Sequence, residues 1–136
     1  MDVRNMVVDV AVVADALRSH AGQVVPPFNA YGIIEARWPT AVITGRELPI
    51  GIDEVVSITE DGALIIYGRS LSTAERRFAI AHAMAHLMFD LAGNPRRGVI
   101  IEPEREARAD RFAQELLVPD RFFAWQGGAL AFAGIL

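Results

Sequence analysis

The chain contains no cysteine. Neither a disulfide framework nor a thiolate zinc site is therefore open to it, and any metal must be held by histidine and carboxylate. It has no charge-free run of about 18 residues, the minimum for a membrane-spanning helix. The apolar N-terminus is interrupted by Asp2, Asp9 and Asp15, where a secretory leader carries no acid. We expect an amphipathic first helix and a cytoplasmic protein without membrane contact. Positive charge is in deficit, with 13 Lys and Arg against 17 Asp and Glu and a net charge of −4. That balance argues against direct nucleic-acid binding as the main role, Arg76-Arg77 and Arg96-Arg97 being local exceptions. No phosphate-cradling glycine loop, serine nucleophile elbow or cysteine nucleophile occurs.

What is present suffices for a core. Of 136 residues, 52% are hydrophobic and 22% charged, which fits a single globular domain over 1–136. A chain of this length buries roughly 65–70% of the surface that its unfolded form exposes. The pattern predicts a first helix over 4–20, ending near Gly22, and a break at Val25-Pro26-Pro27. Residues 31–38 and 41–44 read as short strands parted by Pro39. Two further β-rich runs, 55–59 and 63–67, flank Glu60-Asp61-Gly62 and predict a hairpin. Ser72-Thr73-Ala74-Glu75 is a capping box, opening a helix of about five turns that stops at Gly93-Asn94-Pro95. Pro103, between Glu102 and Glu104, predicts the start of another helix. That helix runs to about Leu117 and is closed by Pro119. The expected class is α+β: a small, partly antiparallel sheet packed against the first of these helices, with the second crossing behind. Residues 121–136 are very apolar, and we expect them to pack on the core, on a partner or on a second subunit. Trp38 and Trp125 read as core or interface anchors, and His20 as a residue at a helix C-terminus.

The chemistry lies in the two later helices. His82 and His86 are four apart, one turn along one helix face. That spacing lets two imidazoles reach one zinc ion at roughly 2.0–2.1 Å. Two of the chain's three histidines stand here, among small and apolar neighbours on their own helix. Buried imidazoles so placed need partners from elsewhere, and a metal serves both. Twenty residues past His86 comes Glu106, and four further on Asp110. One face of the next helix thus offers a carboxylate for the metal and another for a ligand's outer nitrogen.

Arg77-Phe78-Ala79-Ile80-Ala81-His82-Ala83-Met84-Ala85-His86 resembles the R-F-x-x-A-H-E-x-x-H segment of the ImmA/IrrE-type metallopeptidases. The run from Glu106 to Pro119 resembles their second signature, E-x-x-A-[ND]-x-F-A-x-x-L-L-[MV]-P, at every fixed position. The likeness covers about residues 54–119. It implies a zinc metalloendopeptidase with His82, His86 and Glu106 as ligands and Asp110 behind them. It also implies a protein substrate, commonly a separately encoded helix-turn-helix repressor whose removal serves stress response or transcription control. Tyr67 or Arg69, just before the helix, could contact a scissile carbonyl. The departure is Ala83, which stands where the family has its general-base glutamate. A methyl group can neither take a proton from water nor pass one on. Loss of such a base costs about 10²–10⁴ in rate, so the resemblance implies a catalytically dead form. Ala83 has two readings, a replacement that traps an enzyme with its ligands intact or a zinc-binding pseudopeptidase kept as an interaction module.

Overall fold

A computed structural model describes residues 9–90 and 103–119, and the backbone of 123–126 and 129–132. Helix α1 (Val10–His20) is capped by Asp9, whose side chain accepts from the backbone N–H of Ala11 and Val12. His20 is its last residue, as expected, and its Nε2 meets the Ala36 carbonyl at 3.1 Å. Residues 1–8 of the expected first helix lie outside the described residues.

The segment expected to be a strand over 31–38 is a helix, α2 (Ala30–Arg37). Ile33 and Ile34 drew the strand reading through their β-branching. Burial decides otherwise, because Ala30, Ile33 and Ile34 fall at i, i+3 and i+4 and are all buried. Asn29 then caps the helix by accepting from the Tyr31 N–H at 3.0 Å. Trp38 ends it, packed partly buried against the core.

Strands β1 (Val42–Arg46), β2 (Glu54–Thr59) and β3 (Gly62–Gly68) form a mixed sheet in the order β1-β3-β2. The expected hairpin is present: β2 and β3 pair antiparallel from Thr59 opposite Gly62 to Glu54 opposite Tyr67. Gly62 has φ +126, a backbone region that only glycine enters freely. β1 lies parallel to β3 on its other side.

Helix α3 (Thr73–Phe89) starts at the predicted box, with the Ser72 N–H donating to Glu75 at 3.0 Å and the Glu75 N–H to Ser72 Oγ at 3.2 Å. Asp90 caps its end, and the predicted stop at Gly93-Asn94-Pro95 lies outside the described residues. Helix α4 (Pro103–Leu117) buries Ala109, Phe112, Ala113 and Leu116, an i, i+3, i+4, i+7 stripe, against α3. The buried Pro119 follows. Ile65 of β3, Ile80 and Met84 of α3 and Phe112 of α4 share one core, so the sheet and α4 grip α3 between them. In the apolar tail, β4 (Phe123–Gln126) and β5 (Ala129–Phe132) pair antiparallel. Its expected packing on the core or a partner, and the role of Trp125, lie outside the described side chains.

The capping box carries a stability prediction. Ser72→Ala is expected to lower stability by about 1 kcal/mol, read from the denaturation midpoint. The bond from Ser72 to the Glu75 carboxylate holds that group below its ordinary pKa. Its contribution is therefore present above the unfolded value and is lost as pH falls through the folded one. Alanine keeps the Ser72 backbone N–H, so most of this acid-sensitive part persists in Ser72→Ala. It is expected to be lost in Glu75→Gln, whose deficit against the parent shrinks on acidification.

Candidate metal centre

α3 is buried on all sides from Ala79 to Leu87, so the polar atoms of His82 and His86 must find partners inside the protein. They find carboxylates. His82 Nδ1 lies 2.8 Å from Asp110 Oδ1, and His86 Nδ1 lies 2.7 Å from Asp90 Oδ2. An ionised carboxylate only accepts, so a ring that donates from Nδ1 to its aspartate can turn a bare Nε2 to a bound cation. The two Nε2 atoms face one another at 3.2 Å. Glu106 closes the set, with Oε2 at 2.7 Å from His82 Nε2 and Oε1 at 3.0 Å from His86 Nε2.

Two lone pairs and a carboxylate converging on one point repel each other unless a cation stands among them. One ligand atom from each of His82, His86 and Glu106 lies within 4.8 Å of the others. Nitrogen and carboxylate oxygen in this number suit zinc and leave its fourth position for water or substrate. The outer nitrogens are already held in the manner of metal-binding histidines.

The expected convergence of His82, His86 and Glu106 is thus found, with Asp110 behind His82. Ala83 is fully buried and contributes only a methyl. Tyr67 and Arg69 make contacts of their own beside the set of three ligands. The Tyr67 ring covers Gly45, where a Cβ would sit 2.7 Å from it, and the Arg76 guanidinium lies over the ring at 4.7 Å. Arg69 is exposed and pairs with Glu47 at 3.8 Å.

Three residues went unnoticed in the sequence. Asp90 serves His86 as Asp110 serves His82. It lies four residues past His86, so the helical spacing that joined the histidines could have found it. Arg108 donates from Nη2 to Asp90 Oδ1 at 2.6 Å and stacks on Phe89 at 5.0 Å, tying α4 to the end of α3. Glu54, at the start of β2, brings Oε1 to 3.4 Å from His82 Nε2. No local pattern marks it, because sheet pairing sets its place.

Burial pushes the Glu54 carboxyl up to about 7, with Glu106, Asp53 and Asp110 adding to the rise and His82 opposing it. For His82, burial works against the charged ring. The charges of Glu54 and Glu106, with hydrogen bonds to Asp110 and Glu106, outweigh it and raise its pKa. The His82 shift reports the negative charge that surrounds its ring, whereas burial is the main cause of the Glu54 shift.

A helix bearing two inward histidines, a following helix bearing the third donor and a small mixed sheet beneath define the zinc-metallopeptidase type of fold. The chain belongs to the M78 peptidase family, described as the IrrE N-terminal-like domain, whose model matches residues 46–127. That span takes in β2, β3, both site helices and the second signature. Comparison with curated proteins gives no match. No helix among the described residues is long and apolar enough to cross a membrane.

Proposed function

We propose that this chain is a zinc-dependent endopeptidase-type protein that acts in the cytoplasm on a protein substrate, a helix-turn-helix repressor encoded separately. The observation that carries the metal-dependent reading is the meeting of His82 Nε2, His86 Nε2 and Glu106, with both outer nitrogens already bonded to aspartates. The repressor is the substrate class that the family resemblance implies. The chain's acidic balance supports a protein target over nucleic acid.

Zinc, when bound, acts as a Lewis acid that polarises a carbonyl and makes water nucleophilic near neutral pH. His82, His86 and Glu106 would hold it, while Asp110 and Asp90 keep the rings in the tautomer that presents Nε2. What position 83 cannot supply is proton transfer. With that position alone to provide it, the protein is a catalytically dead form. A second reading rests on the same buried methyl: a zinc-stabilised pseudopeptidase that grips its regulator without cutting it.

Zinc analysis and incubation with the repressor, in the parent and in Ala83→Glu, test both. Stoichiometric zinc with cleavage by either protein is the result expected of a peptidase. Zinc with tight repressor binding and no cleavage by either selects the module. Absence of zinc binding overturns both.

A further inference from the structure

The peptidase reading leaves one role without an owner, that of the group which takes a proton and gives it back. Position 83 is closed to it, since the Ala83 side chain is fully buried and apolar. Another carboxylate reaches the inner nitrogen of His82 from a different element. β2 packs against α3, and its first residue is Glu54. The strand is fixed there by its pairing, with Glu54 opposite Tyr67 and the Asp53 carbonyl accepting from the Gly68 N–H at 2.8 Å. The Glu54 side chain is 16% exposed, and its Oε1 stands 3.4 Å from His82 Nε2.

Two features separate Glu54 from the other acids of the site. Asp110 and Asp90 bond the outer nitrogens, and Glu106 spans both inner ones. Glu54 stands beside the inner nitrogen of His82 yet outside the group of three that converge. Nor does an arginine or lysine neutralise it: its ion-pair partner among the described residues is His82. A mostly buried carboxylate whose partner is a histidine rather than an arginine or lysine is costly to keep, and a position next to a metal pocket gives it a use.

We propose that Glu54 supplies the carboxylate that Ala83 lacks, an inference that rests on the peptidase reading above. Glu54 Oε1 accepts one proton from the water whose oxygen bonds to the peptide carbonyl carbon. It returns that proton to the amide nitrogen as the carbon–nitrogen bond breaks. The second water proton stays with the new carboxyl group, and Glu54 ends in the state in which it began. In the family pattern this carboxylate comes from the residue after the first histidine; here it comes from the neighbouring strand.

The test uses zinc and acetohydroxamic acid, a chelator whose hydroxyl proton must be accepted by a neighbouring base as it docks. Calorimetry measures zinc binding to the metal-free protein and then acetohydroxamate binding to the zinc-loaded form. Glu54→Gln keeps the shape and removes the charge. It is expected to hold zinc within about threefold of the parent and to bind acetohydroxamate at least about tenfold more weakly, the worth of a charge-assisted hydrogen bond. Glu47→Gln, at an exposed carboxylate whose ion-pair partner among the described residues is Arg69, is expected to match the parent in both. Glu54→Asp, which retains the charge on a shorter arm, provides a second variant should the glutamine protein not fold, and is expected to fall between the two. Unchanged acetohydroxamate affinity in a zinc-loaded, folded Glu54 variant overturns the proposal and leaves the metallopeptidase reading standing. A loss of zinc affinity beyond about a hundredfold in Glu54→Gln also overturns it, by making Glu54 a ligand. Failure of the parent to bind zinc removes the underlying reading itself.

Discussion

Glu106→Ala is expected to weaken zinc binding by about 10²–10³. Structural zinc sites contribute roughly 10–16 kcal/mol from four ligands, so each ligand accounts for about 3–4 kcal/mol, and 1.4 kcal/mol is a factor of ten. Glu106 is placed for this role, with one oxygen 2.7 Å from His82 Nε2 and the other 3.0 Å from His86 Nε2. Titration of the metal-free protein with zinc against a competing chelator measures the change. The same substitution is expected to leave the fold in place, since Glu106 lies on the half-exposed side of α4 and outside its buried stripe. A protein that melts at the parent temperature without metal yet has lost zinc affinity would place the effect at the site. Zinc affinity within threefold of the parent would remove Glu106 from the ligand set, and the peptidase reading with it. Without Glu106, the inward nitrogens of His82 and His86 would be left with no donor between them, and Glu54 would be the nearest carboxylate to His82.

Much of this site was legible in the chain because its parts are local. A four-residue step on a helix fixes which side chains share a face, so His82 with His86 and Glu106 with Asp110 could be paired before any fold was known. The capping box at Ser72 and the Asp61-Gly62 turn were equally local, since each is a bond between residues two or three apart. The failures were of two kinds. In 31–38 local propensity pointed to a strand, and burial of Ile33 and Ile34 between α1 and α3 overrode it. Glu54 belongs to the second kind. Its place beside His82 depends on the register of β2 on β3 and on how that sheet rests on α3, neither of which sequence spacing encodes. Asp90 lies between the two: its spacing from His86 was readable, but its importance comes from Arg108, eighteen residues on and on another helix.

Arg18→Ala is expected to lower the stability of the protein by about 3–5 kcal/mol, the range for breaking a buried charged network by removing one member. Among the described residues Arg18 is the charged side chain buried most deeply, at 1% exposed. Its position on α1 is held by four interactions at once. One guanidinium nitrogen donates to the carbonyls of Glu115 and Leu116 at 2.7 and 3.0 Å, the other pairs with Asp15 one turn back, and the plane lies 4.9 Å over the Phe28 ring. The two carbonyls belong to the last turn of α4, where a helix has acceptors without intrahelical donors and where its dipole favours a cation. Arg18 therefore closes α4 from outside, doing for its C-terminus what no residue in the last turn of α4 itself does, since none there is basic. Removing it leaves buried acceptors unpaired and frees the far end of the helix whose near end carries Glu106 and Asp110. Arg18→Lys is expected to recover less than half of the loss, because an ammonium supplies a charge but neither the fork that joins the two carbonyls to Asp15 nor the plane that stacks on Phe28. Chemical denaturation of the three proteins, followed by zinc titration of each at a temperature where it is folded, separates the two ends of α4. Stability should fall steeply in the alanine variant while zinc affinity, measured in the folded state, falls by less than tenfold. Equal stability of parent and alanine variant would show that the guanidinium costs as much to bury as its partners return.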